Sequence, residues 1–326
     1  MRLSVGLLLV HILDHVSDVK SSAVPMDEVS MRDSTEPFTW RTIVDARLAE
    51  IALDFGAASP ALGRAMAEAA LAPGKRFRAM LLLIAGEATG GAGTALIDTA
   101  CAVELVHTAS LVFDDLPCMD DAQTRRGRPT THLVHGASRA ILAGIALVTE
   151  AMRLLATARE TDEATRARLV AVLAGAVGPV GLSGGQDLDL HAPKHASGIE
   201  REQDLKTGAL FVAGFEMLGL IQRLNAADRT NLTLLGRGLG RAFQSYDDLL
   251  DVEASTGTLG KDTGRDVVGP GPARGVLAVR DLSSAKARYD AQRIEIDAIL
   301  ANCRFDSRPL ALYIARVLPI SAIRAA

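Results

Sequence analysis

The stretch "HTASLVFDDLPCMDDAQTRRGRPTTH", His107–His132, sets four aspartates, Asp114, Asp115, Asp120 and Asp121, behind an apolar segment and follows them with Arg125, Arg126 and Arg128. Pro117 cannot continue a helix cleanly, because its ring opposes the carbonyl four residues back at Phe113, so the helix is expected to end or distort just past Asp115. Asp120 is then returned by a loop, not by helix periodicity. Arginines immediately after the acids are planar, permanently charged donors suited to phosphate oxygens. A lone D-D-x-x-D is an acidic turn or helix cap more readily than a ligand set, so the reading turns on what else the chain carries.

A second acid cluster lies far downstream, in "GRAFQSYDDLLDVE", residues 240–253. Asp247 and Asp251 are spaced i, i+4 and share one helix face, with Asp248 beside them. Like charges at that spacing oppose the helix, and Phe243, Leu249 and Leu250 mark the segment as largely buried. Three carboxylates without His or Cys suit a hard cation. Mg²⁺ characteristically takes one or two carboxylates together with substrate phosphate oxygens.

Outward from these clusters the chain reads as all-α. Of its 326 residues 48% are hydrophobic and only 4% aromatic, and Val, Ile and Thr do not gather in alternating runs. "TWRTIVDARLAEIALDF", from Thr39, places Ile43, Ala46, Leu48, Ile51 and Leu53 near one face. A Pro/Gly break at "LAPGKRFR" leads into "AMLLLIAGEATG", which Gly90 and Gly91 should stop. Helices are expected over Thr94–Asp115, Ala137–Glu160 and Thr165–Val177. A Gly-rich turn, "GPVGLSGGQDLDL", and a polar loop, His191–Gly198, follow; helices resume over Ile199–Leu220, Ala227–Val252 and Asp281–Ala301. Long apolar helices with short Gly/Pro punctuation describe a helical bundle. No linker divides the chain, so residues 39–326 are read as one domain and residues 1–38 as a poorly ordered or non-native extension. The apolar run Leu3–Leu13 is too short to span a bilayer and lacks a small-residue cleavage site, which argues against stable membrane insertion.

Thirty-five basic against thirty-nine acidic side chains give a net charge of −4, which offers no broad positive field for nucleic acid. Any anion must be held locally. Cys101, Cys118 and Cys303 are odd in number and widely spaced, so neither a disulfide framework nor a zinc site is indicated, and a cytoplasmic location fits best.

"DDLPCMDDAQTRRGRPTTH" and "FQSYDDLLD" resemble the first and second aspartate-rich motifs of the trans-prenyltransferases, the polyprenyl diphosphate synthase family that includes bacterial farnesyl and geranylgeranyl diphosphate synthases. The resemblance continues through "PGKRFR", "ELVHTASLVFDD", "GGQDLDL", "KTGALF" and "LGKDTGRD" in family order, over about Thr39 to Asp266. It implies an isoprenoid synthase type helical bundle around a central apolar cavity, which joins isopentenyl diphosphate to allylic diphosphates and releases pyrophosphate. It also implies a homodimer. Three Mg²⁺ ions are implied, with Mn²⁺ able to substitute: Asp114 and Asp120 would hold two and Asp247 the third, with Asp115, Asp248 and Asp251 assisting directly or through water.

By the same resemblance Arg125, Lys206 and Lys261 would grip the allylic diphosphate, while Thr207 and Gln244 face the developing cation. Gly74, Lys75, Arg78, His107 and Arg126 match the pocket for isopentenyl diphosphate. Ala109 and Ser110, one turn before Asp114, match the positions that set product length; both are small, which points to geranylgeranyl diphosphate, C20, over farnesyl diphosphate, C15. One departure stands out: Pro270 in "RDVVGPGPARGVL" falls near where the family usually has Lys, leaving Arg265 or Arg274 as replacements. A class I terpene cyclase would have N/D-x-x-x-S/T-x-x-x-E in place of "DDLLD", and a non-catalytic partner subunit would lack one aspartate motif.

Overall fold

The computed structural model describes residues 37–193, 196–257 and 282–320. The 1–38 extension, save its last two positions, and Lys261, Arg265, Pro270 and Arg274 lie outside the described residues. From Pro37 the chain runs through α1 (Pro37–Ala52), α2 (Pro60–Ala70), α3 (Phe77–Thr89) and α4 (Thr94–Asp114). A two-strand hairpin, β1 (Thr124–Arg125) and β2 (Arg128–Pro129), precedes α5 (Thr131–His135), α6 (Ala137–Ala156), α7 (Glu163–Val177) and α8 (Leu182–His191). Then come α9 (Ala196–Gln203), a π-turn (Asp204–Gly208), α10 (Ala209–Ile221), α11 (Ala226–Gly257), α12 (Leu282–Ala301) and α13 (Arg308–Val317).

Two of these helices are central. Helix α4 buries side chains on nearly every face, from Leu96 and Cys101 to Ala109 and Val112, and packs most extensively on α6. Helix α10 is sheathed likewise, with Leu210, Phe211, Phe215, Met217 and Leu218 all inside, and packs on α11 and α7. A helix apolar all round must be surrounded by others. The remaining helices supply that cover with a single apolar stripe each, as in Leu232, Leu235, Leu239, Ala242 and Leu249 of α11. Each such side chain withdrawn from water contributes about 1.5–3 kcal/mol before the entropy of ordering the chain.

Boundaries follow local chemistry. Pro60 opens α2 directly after Ser59. Gly90, at φ +158°, closes α3 where the sequence placed a stop. Asp162 caps α7 by accepting the Thr165 N–H at 2.7 Å.

Three expectations change. "GGQDLDL" is helix α8, not a turn: a Cβ at Gly185 would come within 2.2 Å of the Lys206 nitrogen, so this glycine serves close packing within a helix. Ile199–Leu220 is not one helix but α9 and α10 joined through the π-turn. Leu53, expected on the apolar face of α1, lies past the helix end and is exposed, while Trp40, Val44, Leu48 and Ile51 form the buried face.

Thr94–Asp114 and Glu163–His191 are long and apolar enough to cross a membrane, but most of the first lies inside the helical core. All three cysteines are free thiols, Cys101 buried and Cys118 exposed.

Candidate active site

The end of α4 organises the first acid cluster. The helix stops at Asp114, and the chain turns through Pro117 so that the Asp120 N–H donates to the Asp114 carbonyl at 2.9 Å, with Asp121 at φ +49°. Asp120 thus returns to the helix terminus through backbone bonding. The Asp114 carboxyl is pushed up to about 6, first by burial, against the pull of Lys206, and further by Asp120 and Asp115. Asp115 faces elsewhere. It is 3% exposed and receives the Arg125 guanidinium in a fork, Nε at 2.8 and 2.9 Å and Nη2 at 2.7 Å.

Lys206 reaches this acid cluster from the π-turn. Its ammonium donates to Asp189 of α8 at 2.5 Å. Burial works against its charge, yet Asp189 and Asp114 outweigh that and hold its pKa above the usual lysine range. The π-turn is gripped from both sides. Gly185 lets α8 approach Lys206, and a Cβ at Gly240 of α11 would lie 2.4 Å from the Gly208 Cα. Arg241 forks onto Asp204 at 2.6 and 2.7 Å. The Thr207 hydroxyl donates to the Gln244 amide oxygen at 3.2 Å, and the Gln244 amide donates to Asp248 at 2.9 Å. A π-turn of this kind commonly marks a functional position in a helix.

Asp247 lies on the same stretch of α11 and acts electrostatically on Arg78, while Asp248 is buried. Asp251 follows one turn on; its side chain lies outside the described residues. Among the described residues no three acidic, imidazole or thiol groups converge as a ready-made metal site. The raised Asp114 pKa is consistent with a cation here: burial, Asp120 and Asp115 outweigh the positive charge of Lys206 and Arg125.

The basic cluster sits two turns back along α4. His107 is held well below its ordinary pKa by burial, and then by Arg78, Arg126, Arg125 and Arg76. Arg126 occupies a tight hairpin turn with φ +53°, followed by Gly127 at φ +74°. Its Nη1 donates to the Pro73 carbonyl at 2.9 Å and would clash at 2.5 Å with any Cβ at Gly74. Gly74 is therefore required for the guanidinium to lie against the "GKRFR" turn. Lys75 is exposed on that turn. Arg78 lies over the faces of Phe211 and Phe243, at 4.7 and 5.7 Å from the ring centroids, and its Nε has no hydrogen-bond partner. A buried donor without a partner beside other cations is chemistry that fits an anion. A cavity of about 260 Å³ opens alongside, lined by Pro73, Thr108, Leu111, Asp115, Arg125 and Arg126.

His107, Ser110 and Asp114 share one face of α4 by their spacing, and Ser110 is half-buried there with its hydroxyl donating to the His107 carbonyl at 2.8 Å. Ala109 points away from that face and is fully buried in the core. Sequence reading left two residues of this region unassigned. Asp189, the partner of Lys206, stood within the quoted "GGQDLDL". Glu104, buried near Arg76 and Arg78, stood within "ELVH".

A helical bundle with an acid cluster at the end of α4 and a basic cluster drawn from α3, the hairpin and His107 of α4 fits an enzyme class that handles two phosphorylated ligands. The chain belongs to the polyprenyl synthetase family, whose pattern it matches over residues 59–282. It is 43% identical over 210 residues to a geranylgeranyl diphosphate synthase of Pantoea ananas, covering 63% of this chain and 68% of that one. It is 37% identical over 264 residues to geranylgeranyl pyrophosphate synthase 12, chloroplastic, of Arabidopsis thaliana, covering 78% and 72%. Among solved structures it is similar to an apo FPP/GFPP synthase of Zymomonas mobilis, with TM-score 0.72, 30% identity and coverage of 87% and 99%.

Proposed function

We propose that this chain condenses isopentenyl diphosphate with dimethylallyl, geranyl and farnesyl diphosphates to make geranylgeranyl diphosphate, releasing pyrophosphate at each step. The observation that carries this reading is an acid cluster at the end of α4 and a basic cluster gathered around His107 two turns earlier on the same helix. His107 and Asp114 are seven residues apart, roughly 10 Å along a helix axis. The relatives named geranylgeranyl diphosphate synthase support the same reading.

The allylic diphosphate belongs at the acid cluster, gripped by Lys206, Arg125 and Lys261. Mg²⁺ held by Asp114, Asp120 and Asp247, with Asp248 and Asp251 assisting and Asp115 acting only through the Arg125 it holds, would neutralise charge developing on the leaving diphosphate. Three ions per site are proposed, with Mn²⁺ as a substitute. The C1–O bond breaks and its electron pair leaves with the diphosphate. Thr207 and Gln244, bonded to each other beside Lys206, present oxygen dipoles toward the cation left at C1.

Isopentenyl diphosphate must keep its own diphosphate intact, so it belongs at the metal-free cluster. Gly74, Lys75, Arg78, His107 and Arg126 bind it there. His107 is neutral at pH 7 and can donate one N–H to a phosphate oxygen. The double bond of isopentenyl diphosphate attacks C1, forming the new C–C bond, and the proton lost from its C2 passes to the released pyrophosphate. Arg125 and Lys206 are both already paired with an acid, Asp115 and Asp189; the Asp115 fork orients Arg125 and leaves an Nη1 edge for phosphate.

We further propose that residues 39–326 are one domain of a cytoplasmic homodimer without membrane insertion. Leu133, Val134, Ile141, Leu142 and Ile145 are exposed together on α5 and α6, and an apolar patch of that kind suits a second copy. Pyrophosphate release from dimethylallyl and from farnesyl diphosphate, each measured with and without isopentenyl diphosphate, tests the reaction, and chromatography of the product grown from dimethylallyl diphosphate tests its length. Release that ignores isopentenyl diphosphate would indicate a cyclase, no release a non-catalytic subunit, and a C15 end product a farnesyl diphosphate synthase.

A further inference from the structure

A pocket for a diphosphate should not need a buried acid, yet Glu104 sits inside the basic cluster at 4% exposure. It occupies α4 one turn before His107. Its Oε1 accepts the Ala79 N–H at 3.1 Å, and its Oε2 lies 3.9 Å from Arg76 Nη1. Ala79 is the third residue of α3, where a backbone N–H has no partner within the helix. The N-cap position of α3 is Arg76, which is left-handed at φ +49° and makes no capping bond of its own. Capping normally comes from the side chain at that position. Here it is delivered across 25 residues from another helix.

The consequence is geometric. Arg76 is fixed by Asp45 at 2.8 Å and by the Ala70 carbonyl at 3.0 Å, and Glu104 ties the first turn beyond it to α4. The "GKRFR" turn and His107 are thereby held in one register. The negative charge of Glu104 offsets repulsion among neighbouring guanidinium groups, but it opposes an incoming diphosphate, so reach and not charge accounts for its position.

We propose that Glu104 is the positioning residue of the metal-free diphosphate pocket: by capping α3 from α4 it sets Lys75 and Arg78 against His107. This rests on the assignment of that pocket to isopentenyl diphosphate. Two substitutions separate reach from charge. Glu104→Gln keeps an acceptor at the same distance without the charge; Glu104→Asp keeps the charge but falls one methylene short. Steady-state kinetics on the full-length enzyme should show Glu104→Asp raising KM for isopentenyl diphosphate about tenfold, with KM for farnesyl diphosphate within about twofold. Glu104→Gln should raise it by no more than about threefold. Should Glu104→Asp melt below assay temperature, Glu104→Met, of similar length without an acceptor, takes its place with the same expectation. An Asp variant like wild type beside an impaired Gln variant would overturn the proposal in favour of charge. Equal rises in both Michaelis constants would overturn it in favour of general packing. Failure of the underlying assignment reads differently: Arg126→Ala would then leave KM for isopentenyl diphosphate unchanged in otherwise wild-type protein.

Discussion

The last two turns of α4 face two side-chain clusters built in opposite ways. At Asp114 the chain collects carboxylates and a single buried lysine; at His107 it collects arginines around one carboxylate. Both suit a diphosphate. The difference is whether the diphosphate must leave. A leaving group needs charge neutralisation that grows as the bond breaks, which cations recruited by acids supply. A diphosphate that only anchors its substrate needs fixed donors and no metal. The structure carries the contrast in two groups: a carboxyl raised by burial and neighbouring acids in one region, a guanidinium whose buried Nε has no hydrogen-bond partner in the other.

The harshest test removes acids. Asp114→Ala and Asp247→Ala should each lower kcat by roughly a thousandfold while leaving the fold intact, as loss of a charge-stabilising group typically does. Turnover of wild-type enzyme that persists in excess chelator would break the contrast at its root. A smaller effect sharpens it from the other side. Arg126→Ala should raise KM for isopentenyl diphosphate by about tenfold or more and leave the allylic KM nearly unchanged, with Arg125→Ala doing the reverse. Arg125→Ala should also lower the melting temperature, because Asp115 would lose its forked partner while buried. Parallel changes in both Michaelis constants would merge the two regions into one.

A subtler prediction uses pH. The Asp114 carboxyl stands near 6 in the folded chain against an ordinary 3.8, so between those values the folded state holds a proton that the unfolded state releases. Stability from this group is therefore full below pH 3.8 and is lost as pH rises through 6. A divalent cation can restore it only where the carboxyl is ionised. The rise in melting temperature on adding Mg²⁺ with pyrophosphate should be larger at pH 7.5 than at pH 5.5, by about 2–4 °C. An increment independent of pH would detach Asp114 from the metal.

The two regions also differ in how much of them the sequence showed. The acid clusters were legible because their chemistry is local: Asp247 and Asp251 are one turn apart, and Pro117 announces the end of α4. The arginine side was legible only in its motif. That Arg126 lies against Gly74, and that Glu104 caps a helix beginning at Phe77, depends on contacts between distant segments that no spacing rule contains. The glycines of "GGQDLDL" misled for a related reason. A glycine permits a turn or a close approach equally well, and only the position of Lys206 against Gly185 decides between them. The lysine's π-turn interrupts a stretch whose periodicity reads as one helix, and the Arg241 that forks onto its Asp204 comes from 37 residues away.

The smallest expected effect concerns product length and divides two adjacent residues. Ser110 shares the face of His107 and Asp114 and is half-buried, whereas Ala109 is enclosed by the core. If, as proposed, a growing isoprenoid tail descends from the acid cluster along this face, a ring at 110 enters its path and a ring at 109 enters packed protein. Ser110→Phe should shift the main product from C20 toward C15 while the first condensation proceeds within about threefold of wild type. Ala109→Tyr should instead cost stability, about 1–3 kcal/mol from overpacking, and shift product only as far as it displaces its neighbours. Chromatography of the products and thermal melts of both variants decide the matter. A clean C15 product from Ala109→Tyr at unchanged melting temperature, with Ser110→Phe still making C20, would move the tunnel to the other side of α4.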